Sequence, residues 1–296
     1  SDLDDSDNAY HVVYFDHVDE GTLLDGFDIT AGKADGSNSE GGGIYNDGSG
    51  FATSSPLVQN CRIINNIASD GGGVYSEAEN YKNRLKLINC LISGNNAGNY
   101  GGGLYSYAYD GGIDSTVLIN CVFSGNSAGY YGGGIYTTAN NGTCNPYLIN
   151  CTLTANKAMG SAMYNNESDP TLTNCILWNN SGDEISNTLN ATPLYAYCNI
   201  EGSGGSDTWN SDYGVDGGNN MDEDPHFVMN VSSDNAPTTK GDFRLYEGSP
   251  CIDTADNTVN SESYDLAGNT RIKNEMIDMG AYEGGIPIPT AYYVDQ

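Results

Sequence analysis

Basic residues are scarce in this chain. Its 296 residues include 10 Lys and Arg against 39 Asp and Glu, which gives a formal net charge of −29. Nucleic acids and anionic membrane surfaces bind a basic face on a protein, so the charge balance argues against both as partners. An acidic surface favours solubility and cation binding and is typical of an extracellular or saline setting.

Long apolar runs are also missing. No stretch approaches the roughly 20 apolar residues of a membrane-spanning helix, and no signal peptide is visible. The chain opens at Ser1 without an initiator Met, which indicates a mature protein or an excised fragment. The missing signal therefore says little about export.

Cysteine spacing of the metal-binding kind is absent. The chain has eight Cys and three His, without a CxxC motif and without a His near a Cys. Five cysteines instead follow an Asn and are spaced by 29, 31, 30 and 24 residues: Cys61, Cys90, Cys121, Cys151 and Cys175. Cys198 extends this series. We expect free buried thiols here, because side chains in a register ladder point the same way. Cys144 and Cys251 lie outside the ladder and are left open as bridged or free.

A second phrase recurs at the same interval. Gly-Gly-Gly-apolar-Tyr occupies 41–45, 71–75, 101–105 and 132–136, and a worn copy ends at Tyr164. A fixed period of this size marks a solenoid. Counted from each Cys, positions −3 and +2 are always apolar and are predicted to face inward. Asn recurs at −1 and +5, where we expect it to turn corners and to pass amide hydrogen bonds between coils.

These patterns predict an all-β fold, a right-handed parallel β-helix with coils of about 24–31 residues. Residues 1–200 would hold the repeats, 201–283 irregular C-terminal coils or a cap of the same solenoid, and 284–296 an extended linker with an unpaired strand. Phe27 takes the Cys position of the first coil and is expected to plug one end of the core. The variable segments are predicted to be surface excursions on one side: 46–56, 76–84, 106–116 and 137–146.

The tyrosine of the glycine phrase is the candidate ligand-binding residue. The aliphatic residue before it is assigned to the inner face, so alternation places the tyrosine outside. Aromatic faces stack on sugars and pack on proteins, and stacking between coils is the other explanation of the same stripe. The predicted outward stripe is Tyr45, Tyr75, Tyr105, Tyr136 and Tyr164.

Two acidic clusters suggest calcium, the one cofactor that the sequence predicts. Crowded carboxylates relieve their repulsion by binding cations, and an ordinary solvated loop is the alternative. The clusters are Asp2, Asp4, Asp5 and Asp7, and Asp216, Asp222, Glu223 and Asp224.

The chain resembles bacterial β-helix surface proteins. The glycine phrase and the Asn-Cys phrase are similar to the repeats of polymorphic outer-membrane adhesins, although Cys replaces Phe in most copies. Five segments follow one another in the order of the region called choice-of-anchor Q: Asp224-Pro225-His226-Phe227-Val228, Asp242-Phe243-Arg244-Leu245, Gly248-Ser249-Pro250-Cys251-Ile252-Asp253, Asp265-Leu266-Ala267-Gly268-Asn269-Thr270-Arg271-Ile272 and Ile277-Asp278-Met279-Gly280-Ala281-Tyr282-Glu283. The resemblance implies export and surface or extracellular residence, and it supplies no catalytic residues.

A structural or adhesive surface module is therefore the predicted function, with a carbohydrate or a host or cell-surface protein as ligand. The alternative is a polysaccharide lyase or glycoside hydrolase on the same scaffold. The one basic cluster comprises Arg62, Lys82, Arg84 and Lys86, and we interpret it as a solvated patch.

The last strand predicts how copies or repeats associate. Tyr292, Tyr293 and Val294 resemble the strand with which such β-helices begin. The chain is either a slice of a tandem array, or its last strand completes a neighbouring molecule. Both predict end-to-end association, because an uncapped β-helix exposes unpaired backbone groups.

Overall fold

The computed structural model describes residues 9–36, 39–50 and 53–288, and it confirms an all-β parallel solenoid. Within these residues the helical content is two 3₁₀ turns, Ser211–Tyr213 and Ser233–Asn235. Strands about one repeat apart pair in parallel and in register, so that equivalent residues of successive coils lie side by side.

Three long parallel sheets, A, B and C, form the walls of the solenoid. Sheet A contains Val13–Asp16, Ile44–Gly48, Val74–Glu79, Leu104–Tyr109, Ile135–Asn140, Met163–Asn166 and Ile185–Thr188. Sheet B contains Leu23–Asp25, Leu57–Gln59, Lys86–Ile88, Val117–Ile119, Tyr147–Ile149, Thr171–Thr173, Leu194–Ala196 and Val215–Asp216. Sheet C contains Asp28–Thr30, Arg62–Ile64, Leu91–Ser93, Val122–Ser124, Thr152–Thr154, Ile176–Trp178 and Asn199–Ile200.

Three smaller sheets complete the architecture. Sheet D is parallel and contains Lys33–Ala34, Ile67–Asp70, Asn96–Tyr100 and Ser127–Ala128. Sheet E is parallel and contains Lys82–Asn83, Ile113–Asp114 and Thr143–Cys144. Sheet F is an antiparallel pair, Phe227–Met229 with Asp242–Leu245.

The core follows the predicted inward positions. The apolar residues at −3 and +2 are fully buried, as Leu87 and Ile92 show in one coil. All eight cysteines are buried and free, so the thiol prediction is confirmed and Cys144 and Cys251 are unbridged. Phe27 does not plug the end of the core, so that prediction is wrong. It stands in register with Cys61, but its side chain is 56% exposed because it belongs to the first described coil, with no described coil beyond it.

The recurring asparagines divide two tasks between them. Those at −1 have positive φ, 53° at Asn60 and 51° at Asn89, which confirms the predicted corners. Those at +5 do not turn the chain, because the positive φ belongs to the residue before them, such as Gly94. They form the predicted amide ladder instead. Asn95 donates from Nδ2 to Oδ1 of Asn126 at 3.0 Å, and the same bond recurs from coil to coil.

The glycine phrase needs glycine for two reasons. Gly101 has φ of +64°, which a side chain rarely adopts. A Cβ on Gly102 would lie 2.4 Å from the carbonyl oxygen of Gly133 in the next coil. The strands can therefore approach at their normal spacing only without side chains at this corner.

The predicted excursions are a folded lobe and not loose loops. Their first residues continue the strands of sheet A, and their later residues form sheet E. Between the two sheets lies a small second core of Ala108, Ala139 and Cys144, together with the buried polar residues Asn83 and Asp114.

The sequence predicts irregular coils or a cap of the same solenoid for the C-terminal part. Trp209 and Tyr213 pack over the end of the core, as a cap would. Residues 221–288 instead form a lateral layer against the outer face of sheet C, where Phe227 joins Val122 and Ile176 in one apolar cluster. The physical reason is that this outer face carries apolar residues that require cover, among them Leu91, Val122 and Ile176.

Candidate binding surface

A tyrosine column follows the outer face of sheet A. One ring from each coil contacts the next, with centroids 5.3 Å apart for Tyr14 and Tyr45 and 5.2 Å for Tyr45 and Tyr75. The series continues through Tyr105, Tyr136 and Tyr164 at 5.0 to 5.4 Å. In-register parallel pairing places equivalent residues about 4.8 Å apart, which is the separation that packed aromatic rings adopt.

The column is less accessible than the sequence suggested. The aliphatic residues before the tyrosines point inward, as expected, and the tyrosines lie on the opposite face. Tyr75 and Tyr136 are nevertheless only 6% and 8% exposed, because neighbouring side chains cover them. Accessible aromatic surface remains at Tyr14, which is 50% exposed, and beside the column. The middle of the stripe is thus a packed outer layer.

Two rows of residues flank the column, and both change character along the solenoid. The row before the triple glycine reads Glu40, Asp70, Tyr100 and Tyr131 in register. The row two residues after the column reads Asp16, Asp47, Glu77 and Tyr107. The first coils therefore present carboxylates in both rows. The later coils present phenol rings at Tyr100, Tyr131 and Tyr107, and the second row then ends in the polar Thr138 and Asn166. We call these two parts the acidic half and the aromatic half.

The aromatic half is a connected surface. Tyr100 stacks on Tyr136 with centroids 4.9 Å apart, and Tyr131 stacks on Tyr164 at 4.4 Å. Tyr130, which is 50% exposed, contacts Tyr100 at 5.8 Å. Our sequence prediction missed these flanking rings. The available signal was a Tyr immediately before the triple glycine in two coils.

Carboxylates of the acidic half accept hydrogen bonds from the column. The hydroxyl of Tyr14 donates to Asp47 and that of Tyr45 donates to Glu77, each at 2.5 Å. Burial raises the pKa of Glu77 to about 7. The hydrogen bond from Tyr45 opposes the shift, and the negative charges of Asp47 and Glu40 add to it. The charge of this half therefore changes near neutral pH.

The predicted calcium residues have other partners where the structure describes them. Asp2, Asp4, Asp5 and Asp7 lie outside the described residues. Asp216 accepts from Ser206 and Asn220, and Asp222 accepts from the backbone N–H groups of Gly202 and Gly204. Within residues 9–36, 39–50 and 53–288, no three His, Cys, Asp or Glu side chains are grouped to hold a metal ion, so Asp216, Asp222, Glu223 and Asp224 do not form such a set. Calcium stays a prediction.

Two predicted groups remain, the assembly strand and the basic cluster, and the basic cluster is not one continuous group. Tyr292, Tyr293 and Val294 lie outside the described residues. Arg62 leaves the basic cluster, because it lies on sheet C and forms an ion pair with Asp28 at 2.9 Å. Lys82, Arg84 and Lys86 follow one another along sheets E and B.

Comparisons with known proteins add one family match. Among the residues that the structure describes, no helix is long and apolar enough to span a membrane. No curated protein matches the chain. Residues 120–138 match the Chlamydia polymorphic membrane protein repeat, a stretch that runs from the Asn-Cys phrase through the next glycine phrase. This repeat and the parallel solenoid fit a β-helix protein of the bacterial surface or outer membrane.

Proposed function

We propose that the chain is a non-catalytic adhesive module of the bacterial surface, which binds a carbohydrate or a cell-surface protein through the aromatic half. The observation that carries the proposal is the connected set of rings around Tyr100, with Tyr130 and Tyr131 exposed at its edge. Tyrosine rings offer a large contact area and a hydroxyl for hydrogen bonds, and they lose little rotamer entropy on binding. The packed column beneath holds them rigid.

The test is a panel of polysaccharides and cell-surface proteins passed over the whole immobilised chain. Retention without cleavage is the expected result, and Tyr130→Ser with Tyr131→Ser should reduce it by about tenfold or more. The matched control is Tyr10→Ser with Tyr264→Ser, two exposed tyrosines that are not among the ring contacts described for the aromatic half. Release of unsaturated or reducing sugar ends would instead establish the alternative, an enzyme. Equal losses in both double variants would reject the aromatic half as the binding surface.

We further propose end-to-end association. The first described coil exposes Tyr14, Leu23 and Phe27 at the edge of the solenoid. The segment Tyr292-Tyr293-Val294-Asp295 has the same pattern of residue types as the edge strand Val13–Asp16: an apolar or aromatic residue, then Tyr, then an apolar residue, then Asp. It therefore suits pairing with that edge of a second copy. Deleting residues 287–296 should abolish oligomers in sedimentation experiments. Oligomers that persist would reject strand donation.

The lateral layer is the part that we propose to be of the choice-of-anchor Q type. Four residues of the resembling segments, Asp265, Arg271, Asp278 and Glu283, are all buried, and they lie near one another within the layer. Arg271 Nη2 donates to the carbonyl oxygens of Asp278 and Gly280. A structure of an established member without this cluster would reject the assignment.

A further inference from the structure

Lys82, Arg84 and Lys86 form a basic strip on an otherwise acidic molecule. They alternate with the buried Asn83 and Leu85, so all three side chains point outward. Five of the ten Lys and Arg of the chain take part in ion pairs: Lys33, Arg62, Lys157, Arg244 and Arg271. The other five form no ion pair with any residue that the structure describes, and three of those five make up the strip.

The strip borders a concave surface with the chemistry of a sugar site. A cavity of about 460 Å³ is lined by Lys82, Arg84, Ser115, Asn145 and Tyr147, among others. Register pairing explains this set, because the strands of sheets E and B bring one residue from each of three coils to equivalent positions. Two cations thus stand beside a hydroxyl, an amide and an exposed tyrosine ring.

Neighbouring carboxylates make the two sides of the basic strip electrostatically different. Asp19 and Glu20 line the adjoining cavities on the other side of the strip, next to Ser55. Asp114 lies beneath the larger cavity, where it is buried and accepts hydrogen bonds from Ser76 and Thr116. Asp114 opposes an anion on the Ser115 and Asn145 side, but it is fully buried and hydrogen-bonded, whereas Asp19 and Glu20 are exposed. An anion is therefore disfavoured more on the Asp19 side of the strip than on the Ser115 and Asn145 side.

We propose that this strip and cavity bind an anionic polysaccharide. The cations pair with its carboxylate or sulfate groups, and Arg84 can do so with two parallel hydrogen bonds. The hydroxyl and amide groups serve the sugar hydroxyls, and Tyr147 packs on a ring face. The net charge of −29 does not prevent this, because salt screens charges beyond about 8 Å at physiological ionic strength. The site is separate from the aromatic half and does not depend on it.

Calorimetric titration of the whole chain at about 0.15 M salt tests the proposal. The probes are polygalacturonate as the carboxylated polymer, dextran sulfate as the sulfated polymer, neutral dextran and duplex DNA. We expect binding to one or both acidic polysaccharides, and the polymer that binds identifies the anionic group. Dextran or DNA bound equally tightly, or no binding to any polymer, would overturn the proposal.

Substitutions locate the binding. Lys82→Ser with Arg84→Ser should weaken it by about tenfold or more, and Tyr147→Ala by about threefold. Lys240→Ser with Lys273→Ser makes the same change in net charge at two other exposed, unpaired cations and should change it by less than about twofold. Equal losses in the two double variants would reject a defined site.

Two further measurements separate this site from its alternatives. Tyr130→Ser with Tyr131→Ser should leave polysaccharide binding unchanged, so that failure here is distinguishable from failure of the aromatic half. Self-association in the absence of polymer that is lost in Lys82→Ser with Arg84→Ser would mean that the strip contacts a second copy, and the proposal would be wrong.

Discussion

The hydroxyl of Tyr45 donates a hydrogen bond of 2.5 Å to the carboxylate of Glu77 in the next coil. Glu77 is buried, and its pKa is raised from 4.5 to about 7. The folded protein therefore keeps a proton between these pH values that the unfolded chain has lost. By linkage, this carboxyl makes the protein less stable as pH rises from about 4.5 to about 7.

Substituting Glu77 should remove this part of the pH dependence. Between about pH 5 and about pH 8, the unfolding free energy of the natural protein should fall by about 1–3 kcal/mol more than that of Glu77→Gln. Denaturant unfolding at the two pH values measures the difference. Glu167→Gln, at an exposed position, is the control and should behave like the natural protein. Identical pH dependence in Glu77→Gln would contradict the assignment.

The amide ladder should be sensitive to a single deletion. Asn126 is fully buried, donates to Ile92 and Asn156, and accepts from the backbone and side chain of Asn95. Asn126→Ala leaves several of these groups unpaired and should cost about 2–4 kcal/mol. Asn235→Ala, at an exposed position, should cost less than about 0.5 kcal/mol. Similar losses for the two variants in chemical denaturation would refute the ladder.

Two alanines, Ala31 and Ala155, occupy corners better suited to glycine. Ala31 is exposed with φ of +64°, at the position that Gly94 and Gly125 fill in later coils. Ala31→Gly relieves a left-handed conformation and should raise the unfolding free energy by about 0.5–1 kcal/mol. Ala158→Gly, at a position without positive φ, should lower it. Thermal melting of both variants checks the opposite signs.

The buried guanidinium of Arg271 should matter more than the exposed one of Arg62. Arg271 is 1% exposed and binds two carbonyl oxygens of the lateral layer, so Arg271→Ala should cost about 3–5 kcal/mol. The ion pair of Arg62 with Asp28 is solvent-exposed, and Arg62→Ala should cost less than about 1 kcal/mol. Limited proteolysis should also cut the lateral layer sooner in Arg271→Ala. A small cost for both would show that the layer does not depend on this cluster.

The thiols should react only after unfolding. All eight cysteines are free and buried, and access to reagent limits thiol reactivity. A chromogenic thiol reagent should detect almost none in the native protein and eight in denaturant, with or without prior reduction. A reductant-dependent count would reveal a disulfide and contradict the ladder of free thiols.

The sequence by itself determined the solenoid, its inward positions and its corners. The same residue types recur at the same place in most coils, as Cys90 and Gly102 do, so each of these coils repeats one set of local constraints. Parallel pairing in register then follows, because a slip would bury polar side chains and expose apolar ones. The inward aliphatic residue and the outer-face tyrosine follow from the same alternation.

Only the tertiary structure decided which surfaces remain open. Tyr75 and Tyr136 are buried because flanking rows cover them, and row composition becomes visible only once coils are stacked. The lateral layer depends on contacts between distant segments, such as Asn150 with Asp278, which no local pattern records. The basic strip acquires its cavity in the same way, since Lys82 and Tyr147 line one cavity only through the register of three coils.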